Sequence, residues 1–241
     1  MSVRRPAVAG YFYPGEPAEL QHDLDAMLKA GRPPEGASAV ALLVPHAGYI
    51  YSGPVAAATY LSSPLPRRFI LLGPNHTGEG QAIAVFSEGA WRTPLGETPI
   101  DSPLAEALLA RCAVARSDEE AHRREHSLEV QVPFLQRLAG EVRILPVCVG
   151  TDRLPVLLDL GRAVAEAVRE AGEAVLIIIS SDMSHYLPAE AADRQDHKAI
   201  DRLLAVDPEG LHRVVLSEEI SMCGVAPAVA GLEAARRLGA R

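Results

Sequence analysis

The sequence has little of what marks secreted, membrane-spanning or disulfide-stabilised proteins. Its 241 residues include three cysteines, Cys112, Cys148 and Cys223, an odd number without a CxxC pair, which argues against a disulfide framework and a structural zinc module. No apolar run approaches the roughly 20 residues of a membrane-spanning helix, and the first apolar stretch is too short for a signal peptide. We therefore predict a protein of the reducing cytoplasm that does not act at a membrane.

Basic clusters are missing as well. The net charge is −8, and the two nearest basic runs, Arg67-Arg68 and Arg236-Arg237, are too short to follow a phosphate backbone, which argues against a nucleic-acid partner. The sequence has no internal repeat or low-complexity linker, and its hydrophobic (48%) and charged (22%) fractions are ordinary for a globular protein. We expect a single α/β domain over residues 1–241.

Three apolar runs, at residues 40–44, 69–72 and 175–179, are each followed within six positions by a histidine. Runs without polar alternation are typical of strands buried on both faces of a parallel sheet. Because ligands bind beyond the carboxyl ends of such strands, the side chains that follow them are expected to meet at one edge of the sheet. These side chains are His46, His76, Asp182 and His185.

Strands that alternate with helical patterns predict an α/β fold with a mostly parallel central sheet covered by helices on both faces. A small-residue helix is expected at 55–61, opened by Pro54. A longer helix is expected after the capping-box residue Ser117, and it would place Glu125 and Glu129 on one face, one turn apart. The sequence further predicts helices at 16–30, 102–111, 154–171, 188–204, 208–216 and 225–238, strands at 82–86 and 142–149, a loop or hairpin at 91–100, and an irregular aromatic segment at 4–14 that lines a pocket or covers an edge.

The histidines at the predicted edge suit a metal site. Two neutral imidazoles with a third, anionic ligand and open positions are what a mononuclear catalytic metal needs. His46 and His76 form the best pair, since each follows a strand and a proline-bearing turn, and either Asp182 or Cys223 completes the set. Cys223 precedes a predicted helix, whose N-terminal dipole favours the thiolate. His185 could then act as a general acid or base over an open coordination position.

Three further side chains are candidates for supporting the ligands: Glu125, His126 and Glu129. A metal-bound imidazole usually donates its other N–H to a carboxylate or carbonyl. The alternative is that both glutamates belong to a solvated helix face. By spacing alone, each cysteine is a small buried residue. Four other histidines are expected in polar helical surroundings, and we assign them no function: His22, His122, His197 and His212.

Six motifs, in this order along the chain, resemble those of the Memo family, whose relatives include the bacterial and archaeal AmmeMemoRadiSam system protein B. They lie at residues 5–14, 45–53, 72–76, 125–129, 180–185 and 223–224. The resemblance runs from residue 4 to the end of the sequence. It implies a fold like that of the class III extradiol dioxygenases, the LigB-like non-haem iron enzymes.

The resemblance also implies roles for individual residues. The family's metal ligands, two histidines and a cysteine, fall on His46, His76 and Cys223. The histidine that matches the catalytic base of the dioxygenases falls on His185, with Asp182 beside it. Within the matched motifs, Tyr49 and Asn75 join the candidates for second-shell support or substrate binding.

The implied cofactor is one metal ion, iron or copper, with zinc possible. A thiolate in place of the dioxygenase carboxylate favours copper(I) or zinc and argues against ring cleavage.

Family members continue past the helix near Leu238 into final strands, whereas this sequence stops at Arg241. The expectation is a truncated chain or a sheet edge built otherwise, and truncation would alter one wall near Cys223.

The sequence is compatible with three functions. The first is a metal-dependent, oxygenase-like redox protein acting on an unknown small molecule or peptide. The second is a zinc hydrolase with His185 or Glu125 as base. The third is a module without catalysis that binds an anionic or phosphotyrosine-like ligand. The family name suggests action beside a radical-SAM protein and an AMMECR-type protein.

Overall fold

The computed structural model describes residues 2–29 and 39–240. Within these ranges the chain forms the predicted α/β fold. The strands are β1 (Val3–Arg4), β2 (Ala41–Val44), β3 (Arg68–Pro74), β4 (Ile83–Val85), β5 (Ala90–Thr93), β6 (Gly96–Pro99), β7 (Ala115–Ser117), β8 (Arg143–Val149) and β9 (Val175–Ser180). The helices are α1 (Pro17–Leu28), α2 (Tyr49–Tyr60), α3 (Ser102–Arg111), α4 (Val132–Ala139), α5 (Leu154–Glu170), α6 (Ala189–Leu204), α7 (Pro208–Ser217) and α8 (Val225–Arg237).

The central sheet has the strand order β2-β9-β3-β8-β4-β7. Its first four strands are parallel, whereas β4 runs antiparallel to β8 and parallel to β7. Val44 pairs with Ser180, and Leu72 pairs with Ile179. The carboxyl ends of β2, β9 and β3 are therefore level, which brings the residues after these strands to one edge, as predicted.

Apolar side chains on both faces of this sheet form two cores. One core packs β3, β8 and β9 against α3, α5 and α8, and the other packs the opposite face against α1, α2 and α4. Burial on both faces explains why β3 and β9 are almost continuously apolar. A separate small sheet joins β1 to β5 and β5 to β6, so the predicted segment at 91–100 is a hairpin.

Most predicted elements lie within two residues of the observed ones; the predicted end of the first helix, at residue 30, falls outside the described residues. The prediction of a helix at 55–61 was wrong in its start. The helix α2 begins at Tyr49, and Pro54 lies inside it. Proline removes one helical hydrogen bond, to the carbonyl of Ile50. Ile50 is exposed, so the carbonyl lies on the solvent side, where the missing bond costs least.

The long helix predicted after Ser117 does not form. That region contains β7, short 3-10 turns at 120–122 and 129–131, and then α4. The carbonyls of His122 and Glu125 accept hydrogen bonds from the buried guanidinium of Arg4 instead of from helical amides. Tertiary contacts therefore override the local helix signal. None of the described helices is both long and apolar enough to cross a membrane.

Candidate metal centre

Three side chains meet at the carboxyl edge of the sheet: His46 after β2, His76 after β3 and Cys223 before α8. One ligand atom from each lies within 4.8 Å of the others. The Cys223 sulfur is 3.1 Å from His46 Nε2. His46 is buried, whereas about a third of the His76 side chain is exposed. The cluster therefore has one closed side and one side open to solvent.

The tautomer of His46 follows from its contact with Ser180. The Ser180 hydroxyl lies 2.7 Å from the carbonyl oxygen of Ser127, which can only accept, so the single hydroxyl proton points there. Ser180 must then accept a hydrogen bond from His46 Nδ1, 2.9 Å away. Nδ1 carries the proton, and the Nε2 lone pair faces Cys223. Burial lowers the pKa of His46 to about 4, which keeps the ring neutral.

Gln131 holds Ser180 in this role. Its amide nitrogen donates to Ser180 Oγ and to the carbonyl of Pro45, both at 3.0 Å. The Tyr60 hydroxyl, 2.8 Å from the amide oxygen, orients that amide. The hydrogen-bonded series of side chains that leads from Tyr60 through Gln131 and Ser180 to His46 is buried. The imidazole is therefore held by a network that solvent does not reach.

His76 is oriented by Glu125, a carboxylate without solvent exposure. Nδ1 of His76 donates to Glu125 Oε1 at 2.9 Å, and the backbone N–H of His76 donates to Oε2 at 2.6 Å. Burial acts to raise the pKa of Glu125, but the hydrogen bonds from His76 and the Ser127 amide outweigh it and lower the pKa to about 2. The Cys223 sulfur and the Glu125 carboxylate raise the pKa of His76 to about 10. Nε2 of His76 therefore carries a proton that faces the Cys223 sulfur, and a metal bound at Nε2 would replace that proton.

Asp182 forms hydrogen bonds with both His46 and Cys223. Its Oδ1 accepts the backbone N–H of His46 at 2.8 Å, and its own N–H donates to Cys223 Sγ at 3.3 Å. The other carboxylate oxygen is 3.8 Å from His46 Nε2. Gly224 allows this approach, since a Cβ there would lie 2.5 Å from the Ser180 carbonyl oxygen.

His185 stands at the open side. A ligand atom of His185 lies within 4.8 Å of those of Asp182 and Cys223. Its Nδ1 donates to the carbonyl of Ser221 at 2.7 Å, and its backbone N–H donates to the Ser221 hydroxyl at 2.8 Å. A carbonyl can only accept, so Nε2 of His185 keeps its lone pair and can take a proton.

His126 forms a wall of the cleft. Its ring stacks on His76, with centroids 4.6 Å apart, and meets the edge of His46 at 5.5 Å. Phe12, from the N-terminal aromatic segment, also packs on His126, with ring centroids 4.6 Å apart. The segment therefore lines the cleft, as predicted. Burial lowers the pKa of His126, so its ring is neutral.

The three remaining candidates have their polar atoms engaged within the protein. Tyr49 donates its hydroxyl to the Val130 carbonyl. The Asn75 amide oxygen accepts the backbone N–H of Gly78 and so holds the turn after β3. Glu129 is buried, like Glu125, so the alternative of a solvated glutamate face is wrong. The Glu129 carboxylate accepts four hydrogen bonds, from the Arg4 guanidinium, the amides of Ala7 and Val8, and the Tyr13 hydroxyl.

Sequence reasoning missed Arg4, Ser180 and Gln131. Arg4 is buried, lies over the Trp91 ring at 4.2 Å and donates to Glu129. Its other donors reach the segment that carries Glu125. The sequence did contain a signal for the buried role of Arg4, because Arg4 is a cation at the start of a segment rich in apolar and aromatic residues. Ser180 ends a buried strand and carried no comparable signal.

The family model described as Memo-like protein matches residues 4–241. The chain belongs to the Memo family. The predicted family resemblance is thereby confirmed, and the observed sheet and helices agree with the LigB-like fold that the Memo family shares with class III extradiol dioxygenases.

Relatives named MEMO1 family protein occur in bacteria and archaea. The Aquifex aeolicus (strain VF5) relative is 48% identical over 241 residues, which cover 100% of this chain and 89% of the relative. The Pyrobaculum arsenaticum relative is 43% identical over 249 residues, covering 99% of this chain and 89% of the relative. The Desulfurococcus amylolyticus relative is 40% identical over 254 residues, covering 100% and 90%. The similarity therefore extends over nearly all of this chain and about nine-tenths of each of these relatives.

Proposed function

We propose that this Memo family chain is a metal-dependent redox protein that holds one iron or copper ion with His46, His76 and Cys223. The observation that carries the proposal is the convergence of their ligand atoms within 4.8 Å. Both imidazoles reach this point with Nδ1 engaged by a buried acceptor. Such outer hydrogen bonds are what orient metal-binding histidines.

The donor set fits such an ion. Two imidazole nitrogens and one thiolate suit copper and iron, and the soft sulfur favours copper(I) or zinc over a site with hard ligands. Three protein ligands leave positions for a substrate on the open side. An ion bound there would supply electron transfer and activation of a small ligand.

The chain's own residues would orient reactants and move a proton. His185 Nε2 is the base at the open side, held by the Ser221 carbonyl. Asp182 positions the backbone of His46 and the sulfur of Cys223. His126 and Phe12 form an aromatic wall on one side of the cleft. The substrate is proposed to enter between this wall and His185.

A zinc hydrolase is the second candidate function, and the geometry leaves His185 as its catalytic base. Both oxygens of Glu125 are occupied by His76, and Oε1 also accepts the Ser127 amide. Glu125 is therefore a poor base, and only His185, of the two bases considered, has a free lone pair near the sulfur.

The three cysteines are unpaired thiols, which supports the cytoplasm as the proposed location.

The test is elemental analysis of protein purified without a metal-affinity tag. Wild type, His46→Ala and Cys223→Ser are compared, with His197→Ala as a matched control because His197 is exposed on α6. We expect near-stoichiometric iron or copper in wild type and control, and its loss in both site variants. Spectra under air and under reductant should then differ.

Two results would contradict the proposal. Zinc with no response to reductant would favour the hydrolase. Failure to bind any metal after anaerobic reconstitution would leave the cleft as a ligand-binding surface without redox chemistry.

A further inference from the structure

The helix α2 is apolar on both its inner and its outer face. Its twelve residues include no charged side chain. The inner face packs on the sheet through small residues and Tyr60. The outer face is exposed and consists of Ile50, Tyr51, Pro54, Val55 and Ala58. A helix that is apolar all round is normally covered, so the outer face of α2 is unusual for a surface helix.

The exposure of this face is large for apolar side chains. Ile50 is 86% exposed, Tyr51 81% and Val55 58%. Tyr11, 89% exposed, lies beside them, because the backbone N–H of Tyr49 donates to the carbonyl of Phe12. We call Tyr11 and the five outer residues of α2 the α2 face.

A groove adjoins the α2 face. It has a volume of about 520 Å³ and lies between residues 10–14, α1 and α2. Its apolar lining includes Met27, Ile50 and Pro54. The α2 face is thus a ridge that lies directly beside this groove on one surface. Ile50 and Pro54 belong to both.

The α2 face is large enough for a stable contact. Two exposed tyrosines offer about 150–250 Å² each, and the four aliphatic or small residues bring the face to roughly 600–800 Å². That exceeds the largest apolar patch of most monomers, about 300–600 Å². It approaches the roughly 800 Å² per partner of a standard interface.

We propose that the α2 face is the interface of a two-fold symmetric dimer of this chain. A two-fold contact uses the same patch on both subunits, so the patch must complement itself. A ridge next to a groove satisfies this requirement, since each ridge enters the other copy's groove. The ridge is uncharged, so no charge is buried at the centre. Glu19 and Asp23, which line the α1 side of the groove, belong to the polar rim.

The test is sedimentation velocity over a range of protein concentrations. Wild type is compared with Ile50→Glu and Val55→Glu, and Leu204→Glu serves as the control because Leu204 is 76% exposed on α6, away from the face. We expect twice the chain mass of 25.7 kDa for wild type and control. At least tenfold weaker association is expected for both α2 variants, since a charge at the centre would be buried unpaired.

A second variant reports on the symmetry. In a two-fold contact, a residue near the axis meets its own copy. Ile50 belongs to both the α2 face and the groove, so Ile50→Cys should form a covalent dimer on mild oxidation, whereas Leu204→Cys should not. Thermal melts by circular dichroism should show that all variants are folded. A wild type that stays monomeric at every concentration would overturn the proposal. Binding of that monomer to lipid vesicles would then assign the α2 face to a membrane surface instead. Dimers unaffected by both α2 charges would overturn it equally.

Discussion

Ser180 accepts a hydrogen bond from His46 Nδ1 while it donates its own proton to the carbonyl of Ser127. One hydroxyl therefore sets the tautomer of a proposed metal ligand. The same logic holds at His76 and His185, whose Nδ1 atoms face a carboxylate and a carbonyl. At each of these three histidines Nδ1 is engaged within the protein, so Nε2 is the atom that faces the proposed site.

Ser180→Ala should weaken metal binding by about 10- to 100-fold, the usual effect of removing a partner that orients a ligand. Without the hydroxyl, the His46 ring can rotate or adopt the other tautomer. Competition with a chelator of known affinity measures the change. Ser63→Ala removes another buried hydroxyl, remote from the site, and should leave the affinity unchanged. Equal affinities for Ser180→Ala and wild type would show that Ser180 does not orient the ligand.

Glu125→Gln should also weaken metal binding by about 10- to 100-fold and should lower the free energy of unfolding. The amide can accept fewer of the N–H groups from His76 and Ser127, and a buried unpaired donor costs about 1–3 kcal/mol. Urea denaturation and chelator competition measure the two effects. Glu120→Gln alters an exposed glutamate and should change neither. A fully stable variant with wild-type affinity would refute this role.

Arg4→Met should lower the free energy of unfolding by about 3–5 kcal/mol, because it leaves Glu129 as a buried charge without its cation. Combining it with Glu129→Gln should recover part of the loss. Denaturation of the single and double variants measures the coupling between the two sites. Arg5→Met, at an exposed neighbour, should be nearly neutral. Strictly additive losses would mean that the ion pair contributes little.

His122 predicts how stability depends on pH. It is fully buried, contrary to the polar surroundings expected from the sequence, and burial, with the charge of Arg4, lowers its pKa from 6.5 to about 4. Since the unfolded chain binds this proton more tightly, stability is complete above pH 6.5 and falls as pH drops towards 4. The loss should be about 3 kcal/mol, at about 1.4 kcal/mol per pH unit. Parallel pH curves for wild type and His122→Phe in denaturation experiments would contradict this.

Much of the fold was predictable because its signals are local. The apolar runs that form β2, β3 and β9 need no long-range information to be recognised. The rule that parallel strands end at one edge then brought His46, His76 and the residues after β9 together. The position of Cys223 beside them came from the family resemblance, since a cysteine before a helix is by itself more often a packing residue.

The region between β7 and α4 was not predictable from local pattern. Its spacing indicates a helix, but Arg4, more than a hundred residues earlier in the sequence, takes its carbonyls. Similarly, Pro54 indicated a helix start, although the exposed outer side of α2 tolerates a missing hydrogen bond inside the helix. Between β7 and α4, the hydrogen bonds from the buried Arg4 therefore outweigh the local helix propensity.

The sequence by itself determined the α/β class, the buried strands and the chemical types gathered at their carboxyl edge, because period and composition encode these directly. Only the tertiary structure decided which atoms those side chains present. The Nδ1 partners of His46 and His76 are Ser180 and Glu125, and neither pairing has a spacing rule. Such contacts depend on hydrogen-bond geometry across elements distant in sequence, which a one-dimensional pattern does not contain.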